Sequence, residues 1–209
     1  MKAINYKIIL IGNSGVGKTS LFRKLSTGEF LPKNISTIGI DKKTLEYSID
    51  VNNEKKNFNI SLFDTAGQEK FRAVTKSYSK ESEGILLMYD ITDRKSFDNV
   101  EMWINSIRES IDSHNSKCVV FLIGNKLDLI GEEGRDRQVT EEEAKDACEK
   151  FNMKWGKEMS IKDFDFKDLK IMFEEYVIDI YEKVGSKEVV KQNVKNVKKY
   201  QKKKKWCFI

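Results

Sequence analysis

The sequence predicts an α/β protein: a six-stranded, mostly parallel sheet with helices on both faces and one antiparallel hairpin strand. Three observations carry that prediction. Short β-rich runs alternate with longer helical patterns, the order that produces parallel strands joined by crossover helices. Between one pair of strand candidates sits Val51-Asn52-Asn53-Glu54, a turn suited to a hairpin. Near the end of the pattern, Leu169, Met172, Phe173, Tyr176, Val177, Ile180 and Val184 recur at three- and four-residue steps, the apolar stripe of a helix packed on a sheet.

Taken in order, the first strand is Tyr6–Ile11, an apolar run that passes into a glycine loop, with a helix after Gly17. Thr44–Ile49 and Phe58–Phe63 are the hairpin pair. A helix covers Lys70–Lys80 and the strand Gly84–Asp90 follows. The next helix is Lys95–Ile111, then the strand Cys118–Gly124, a helix over Glu141–Phe151, the strand Met153–Met159 and the helix Phe166–Val184. Gly185 ends the periodic pattern, and few large apolar residues follow until Trp206. Residues 1–184 therefore form the predicted domain and 185–209 a flexible polybasic tail. There is no internal repeat, and the single proline, Pro32, leaves no proline-rich linker.

The 209 residues carry a formal net charge of +5, which invites a nucleic-acid reading, but the charge is unevenly spread. Nine lysines and one glutamate in residues 187–209 contribute +8, leaving −3 for the rest. With one histidine, His114, a Ser-His-Asp hydrolase lacks support and a multi-histidine metal site is excluded. Cys118, Cys148 and Cys207 are too few and too scattered for a disulfide framework or zinc knuckle, which fits a reducing compartment. The amino-terminal apolar run leads into the glycine loop rather than a cleavage site, so it is not read as a signal peptide. No apolar run approaches the roughly 20 residues a spanning helix needs. The Asn-x-Ser triplets at Asn34 and Asn59 then carry no glycosylation meaning.

Gly12-Asn13-Ser14-Gly15-Val16-Gly17-Lys18-Thr19 matches G-x-x-x-x-G-K-[ST], with an apolar strand before it and a helix-compatible stretch after. Glycines let backbone N–H groups curl around phosphate oxygens, and the helix adds its positive end. Lys18 would reach the β- and γ-phosphates, and the Thr19 hydroxyl would ligate Mg²⁺. An inert glycine-rich turn is the bland alternative. The motif alone covers ATPases, kinases and GTPases.

Two further motifs follow apolar strands. In Asp64-Thr65-Ala66-Gly67-Gln68, Asp64 is placed to hold Mg²⁺ through a water, Gly67 to offer its N–H to a γ-phosphate, and Gln68 to orient an attacking water. A simple loop after an edge strand favours the same residues. In Asn125-Lys126-Leu127-Asp128, the Asp128 carboxylate can accept from guanine N1–H and N2–H₂, donors adenine lacks. The Lys126 stem can lie along the base, and Asn125 can tie two loops together.

With these three motifs the chain resembles the Ras superfamily of small GTPases, and most closely the Rab family, from residue 5 to about 184 and on into the tail. Ser36-Thr37-Ile38-Gly39-Ile40-Asp41, Ala66-Gly67-Gln68-Glu69-Lys70-Phe71-Arg72 and Met88-Tyr89-Asp90-Ile91-Thr92 carry the Rab likeness. The resemblance implies Thr37 as the Mg²⁺ ligand that senses the γ-phosphate and Phe30 as the aromatic against guanine. It implies Ser160, the Ile161 backbone N–H and Lys162, within Glu158-Met159-Ser160-Ile161-Lys162, as the last base-contacting loop. The implied nucleotide-binding set is Asn13, Ser14, Gly15, Val16, Gly17, Lys18, Thr19, Ser20, Phe30, Thr37, Gly67, Asn125, Lys126, Asp128, Ser160, Ile161 and Lys162. Gln68, Lys18 and Gly67 would be catalytic, and Thr19, Thr37 and Asp64 would serve the metal.

The chain also departs from the family. Lys42 stands where an aromatic is usual, Phe63 where Trp is usual, and Ser79-Lys80-Glu81-Ser82 replaces a Tyr-Arg-Gly-Ala stretch after Tyr78. Lys42, Phe63 and Tyr78 correspond to an aromatic trio that partners read, so the nucleotide machinery is intact and the partner-reading surface altered. Neither Arg23 nor Arg72 stands where a built-in arginine finger would. The resemblance implies a GTP/GDP switch in vesicle traffic. Its partners would be an exchange factor, an activating protein, a dissociation inhibitor and effectors, but no nucleic acid. It would cycle between cytosol and the cytoplasmic face of an intracellular membrane.

The tail admits three readings: a solvated charge run, a nuclear or nucleic-acid patch, or a lipid-anchored terminus with a prenyl chain on Cys207 beside the lysines. Cys207 has only two residues after it and does not fit Cys-a-a-X. Two alternatives remain for the whole chain. A P-loop kinase would leave Asn125 and Asp128 without a role, whereas a GTP-binding module with little hydrolysis would suit an altered switch surface.

Overall fold

The first strand, β1 (Ile4–Gly12), leads through the glycine loop into α1 (Lys18–Thr27), and β2 (Ile40–Val51) then turns back into β3 (Glu54–Thr65). After α2 (Arg72–Ser79) come β4 (Gly84–Asp90), α3 (Arg94–Asp112), β5 (Val119–Asn125), α4 (Glu141–Lys150), β6 (Lys154–Met159) and α5 (Phe166–Val184). This computed structural model describes residues 3–32, 37, 39–65, 72–80, 82–112, 117–132 and 135–185, with the backbone alone at 72–75 and 109–112.

The strands lie in one sheet in the order β2-β3-β1-β4-β5-β6. All neighbours run parallel except β2 and β3, so the predicted fold class is the observed one. At the hairpin tip, Asn52 and Asn53 both adopt positive φ, 53° and 63°. Two successive left-handed residues make the turn whose twist suits a two-residue hairpin, and asparagine tolerates that conformation better than most residues. Both hairpin strands run 12 residues, well past the predicted ends. Burial runs on to Val51 in β2 and to Asp64 and Thr65 in β3, and the added rungs include exposed polar residues such as Lys42, opposite Phe63, and the pair Asp50 and Lys55.

Alternate β1 residues serve two cores. Ile8 and Leu10 face the layer made by α1 and α5, with Leu21, Leu25, Leu169, Phe173, Val177 and Ile180. Ile9 and Ile11 face the layer made by α3 and α4, with Val100, Trp103, Ile104, Ile107, Ala144 and Cys148. Burying each of the Val, Leu, Ile and Phe side chains among them contributes about 1.5–3 kcal/mol. The α5 stripe is buried as its spacing predicts from Leu169 to Ile180, and Val184 packs partly buried at its end. The helix starts on an Asp165 side chain that accepts from the Lys167 N–H. It stops at Gly185, whose N–H donates to the Tyr181 carbonyl. The Tyr6 hydroxyl holds the Gly185 carbonyl at 2.9 Å, fixing that end to the sheet.

Because five strands run the same way, Gly12, Thr65, Asp90, Asn125 and Met159 all end at one edge of the sheet. The loops that follow them are therefore neighbours, which is where open α/β sheets bind ligands.

Candidate nucleotide site

The loop between β1 and α1 is bent by glycines at positions no other residue could take. Gly12 has φ 140°, and a Cβ there would lie 2.2 Å from the Met88 carbonyl oxygen. Gly17 has φ 107°, and a Cβ there would lie 2.2 Å from Asn125 Nδ2. Ser14 and Gly15 are exposed at the tip, while Val16 is buried at the base of the loop. Lys18 is buried, and its Nζ donates to the carbonyls of Gly12 at 2.9 Å and Asn13 at 2.7 Å. Burial pulls its pKa down to about 8, with Asp64 opposing. The side chain predicted to reach phosphates thus curls within the loop that would hold them. Ser20, next along α1, is buried.

Beside Lys18, three oxygens meet. Thr19 Oγ1 donates to Asp64 Oδ2 at 2.6 Å and lies 2.7 Å from Thr37 Oγ1, which itself is 3.4 Å from Asp64 Oδ2. These are the three residues predicted to serve the metal. Asp64 is fully buried, and its Oδ1 has no hydrogen-bond partner among the described residues. Desolvation raises its pKa, against the lowering effects of the two threonines and Lys18. An orphaned carboxylate oxygen with two hydroxyls alongside is a hard, oxygen-only donor set of the kind Mg²⁺ takes.

The base side is built differently. Asn125 Nδ2 donates to the Val16 carbonyl at 2.8 Å, and its Oδ1 accepts from the Ile161 N–H at 3.0 Å. One buried amide therefore joins the phosphate loop to the loop after β6, as its motif predicts. The Ile161 N–H expected to face the base is engaged by Asn125 instead, and the Ile161 side chain is buried in the core. Lys126, at φ 74°, pairs with Asp90 Oδ2 at 2.6 Å. Asp128 is the middle residue of a short 3₁₀ turn, Leu127–Leu129, and Lys162 Nζ stands 3.7 Å from its Oδ2. Ser160 is buried, and its Oγ accepts from the Asp163 N–H at 3.0 Å. Phe30 is half-buried against the α1–α5 core. Gly67, Gln68 and Cys207 lie outside the described residues.

Sequence reasoning missed four contributors. Asp90, besides holding Lys126, caps its own loop by accepting from Thr92. Trp103 Nε1 donates to Asn13 Oδ1 at 2.8 Å, bracing the phosphate loop from α3. Arg137 grips Glu158 with two bonds, 2.8 and 2.9 Å, behind the base loop. Lys24 on α1 reaches the same loop. Only Asp90 had a local signal, as the last residue of its strand. On the hairpin face beside the site, Lys42, Phe63 and Tyr78 do come together. The Phe63 and Tyr78 rings meet at 5.7 Å, tilted by 57°, and Lys42 and Lys7 stand 5.5 and 5.4 Å over the Phe63 ring.

The sequence profile of the Ras family matches residues 7–182. The chain belongs to the Ras family. Ras-related protein RABA4c of Arabidopsis thaliana is 36% identical over 185 residues, 88% of this chain and 77% of that protein. GTP-binding protein ypt2 of Schizosaccharomyces pombe is 40% identical over 71% of this chain and 69% of its own length. Ras-related protein SEC4 of Candida albicans is 37% identical over 70% of this chain and 65% of its own. Within the Ras family the chain is a Rab-type small GTPase: it binds GTP and GDP and hydrolyses GTP to GDP and phosphate.

Proposed function

We propose that this Ras-family GTPase is a Mg²⁺-dependent switch of vesicle traffic whose nucleotide would be held by the residues named above. The observation that supports it best is the meeting of Thr19, Thr37 and Asp64 oxygens beside the buried Lys18. Thr19 and Thr37 would hold the ion directly and Asp64 through a water; when bound, it would neutralise charge on the β- and γ-phosphates. Lys18 leaves its two carbonyls for the phosphates, a charge-assisted contact that stabilises the developing negative charge. Gln68 orients the attacking water and Gly67 offers its N–H to the γ-phosphate, both by likeness to the family. By likeness to the family, the γ-phosphate would hold Thr37 and Gly67, and its loss would release both. Without an arginine finger, intrinsic hydrolysis runs at about 10⁻⁴ per second, and an activating protein adds roughly 10³- to 10⁵-fold.

Asp128 and Lys126 select guanine, with Ser160, Ile161 and Lys162 closing the base side. Residues 1–184 are the switch domain and 185–209 its membrane address, with a prenyl group on Cys207 and the lysines as two signals. An exchange factor, dissociation inhibitor and effectors act on the switch, which cycles between the cytosol and the cytoplasmic face of an intracellular membrane. The Lys42, Phe63 and Tyr78 surface selects effectors different from those that read three aromatics. Heat-denaturing the purified protein releases GDP, and chelating magnesium from the native protein speeds that release. Bound ATP, or release indifferent to chelation, would refute the base or the metal assignment respectively.

A further inference from the structure

Lys24 lies six residues beyond Lys18 on α1 and is buried, yet three backbone carbonyls receive its ammonium. Its Nζ donates to Phe164 at 2.5 Å, Ile161 at 2.7 Å and Lys162 at 3.1 Å. An ammonium has three donors, and the loop after β6 supplies three acceptors. Asp163 and Asp165 favour its charge only from a distance, and desolvation outweighs them, lowering its pKa. A residue kept for packing alone would gain from being apolar, because a buried charge is costly unless its partners are well placed. Here the partners all belong to one short loop.

The same loop is held from its other side by Asn125, which takes the Ile161 N–H. The Ile161 residue is thus clamped at both its amide and its carbonyl, by β5 and by α1. Within the loop, the Phe164 N–H donates to the Ser160 carbonyl at 2.8 Å, closing a turn around which the three carbonyls converge. Such convergence is unfavourable without a cation, since aligned carbonyl dipoles repel.

We propose that Lys24 is a positioning residue for guanine recognition, a clamp by which α1 fixes the 160–164 loop while its first turn holds the phosphates. This rests on the reading of Ser160, Ile161 and Lys162 as the base loop. Helix α1 then couples the two ends of the nucleotide: a shift of its first turn moves Lys24, and with it the base loop.

The test compares release of GDP and of ADP from the parent, Lys24→Met and Lys24→Arg. Lys24→Met speeds GDP release about tenfold or more and narrows the preference for GDP over ADP by about fivefold, while Lys24→Arg, which keeps the donors, stays within about threefold of the parent. If Lys24→Met does not fold, Lys24→Gln, uncharged but with two donors, takes its place in the same measurement. Faster release of both nucleotides by one factor would show a purely structural lysine and overturn the proposal. Unchanged GDP release in a parent that prefers guanine would overturn it too, leaving the base loop standing. A parent with no preference for GDP would overturn the base-loop reading itself.

Discussion

At the phosphate end, Lys18 turns back on its own loop and Asp64 keeps one carboxylate oxygen without a partner among the described residues. At the base end, Asn125 has both its nitrogen and its oxygen engaged, and Lys126, Ser160 and Lys24 each hold a neighbour. The two ends meet through Asn125 yet follow different rules. On the proposed reading an ion and a phosphate would complete the partners of these desolvated charges, which makes the phosphate end the one that responds to what is bound. Polar groups already satisfied by one another would, on the same reading, select one base by leaving a wrong one unpaired. A switch needs both: one end that changes with the γ-phosphate and one that does not.

The sharpest way to break that division is Asn125→Ala, which strikes the joint. The Val16 carbonyl and the Ile161 N–H both lose a buried partner, each at about 1–3 kcal/mol. GDP release should rise about 100-fold or more, equivalent to roughly 3 kcal/mol, with guanine preference lost in parallel. Stopped-flow release of a fluorescent GDP, with ADP as the competitor, reads both. An effect confined to release, with base preference intact, would show that the base loop does not depend on this joint.

The next effect comes from pH and separates the ends without a mutation. Burial pulls the Lys18 pKa down to about 8, below an unfolded lysine near 10.4. Its ammonium therefore costs stability below about pH 8, and that cost disappears as pH rises through the window toward 10.4. Phosphates favour the ammonium, so binding takes up a proton in the same window, and GDP affinity falls by up to about tenfold per pH unit above 8. From this group, nucleotide-free stability rises while affinity falls. Titration calorimetry in buffers of different ionisation enthalpy measures the proton taken up, and Lys18→Met abolishes it. Affinity constant from pH 7.5 to 9.5 would place the lysine's titration elsewhere.

How much of this was legible in the sequence follows the range of the interactions. Lys18, Thr19, Asp64, Asn125 and Asp128 lie in contiguous motifs at strand ends, so a few neighbouring residues and an apolar run locate them. The six strands were legible for the same reason, and their ends were not, because polar residues continue the ladder of β2 and β3 past the apolar run, whether exposed as Asp50 and Lys55 are or buried as Asp64 and Thr65 are. Lys24 and Trp103 act across 137 and 90 residues of chain, and no local pattern marks either. A lysine within a helix reads as solvated, and a tryptophan in an apolar stripe reads as core. Trp103 is core, but its indole nitrogen also works. The engagement of the Ile161 N–H by Asn125 depends on two loops meeting, which spacing alone does not specify.

Trp103→Phe gives the smallest expected effect and the finest test of whether the two ends can be separated. The indole Nε1 donates to Asn13 Oδ1 from a fully buried position, so phenylalanine leaves that oxygen short of a donor and the core short of atoms. The cost is about 1–3 kcal/mol, a fall of several degrees in melting temperature at this chain length. Asn13 also offers its carbonyl to Lys18, so the disturbance passes to the phosphate end and not to Asp128 or Ser160. Affinity for GDP should drop by roughly threefold, the scale of half a kcal/mol or slightly more, with the ratio of GDP to ADP binding unchanged. Paired measurements of melting temperature and of the two affinities check it. A shift in base preference would mean that α3 braces the whole site, and that the contrast between its ends is one of partners rather than of mechanical independence.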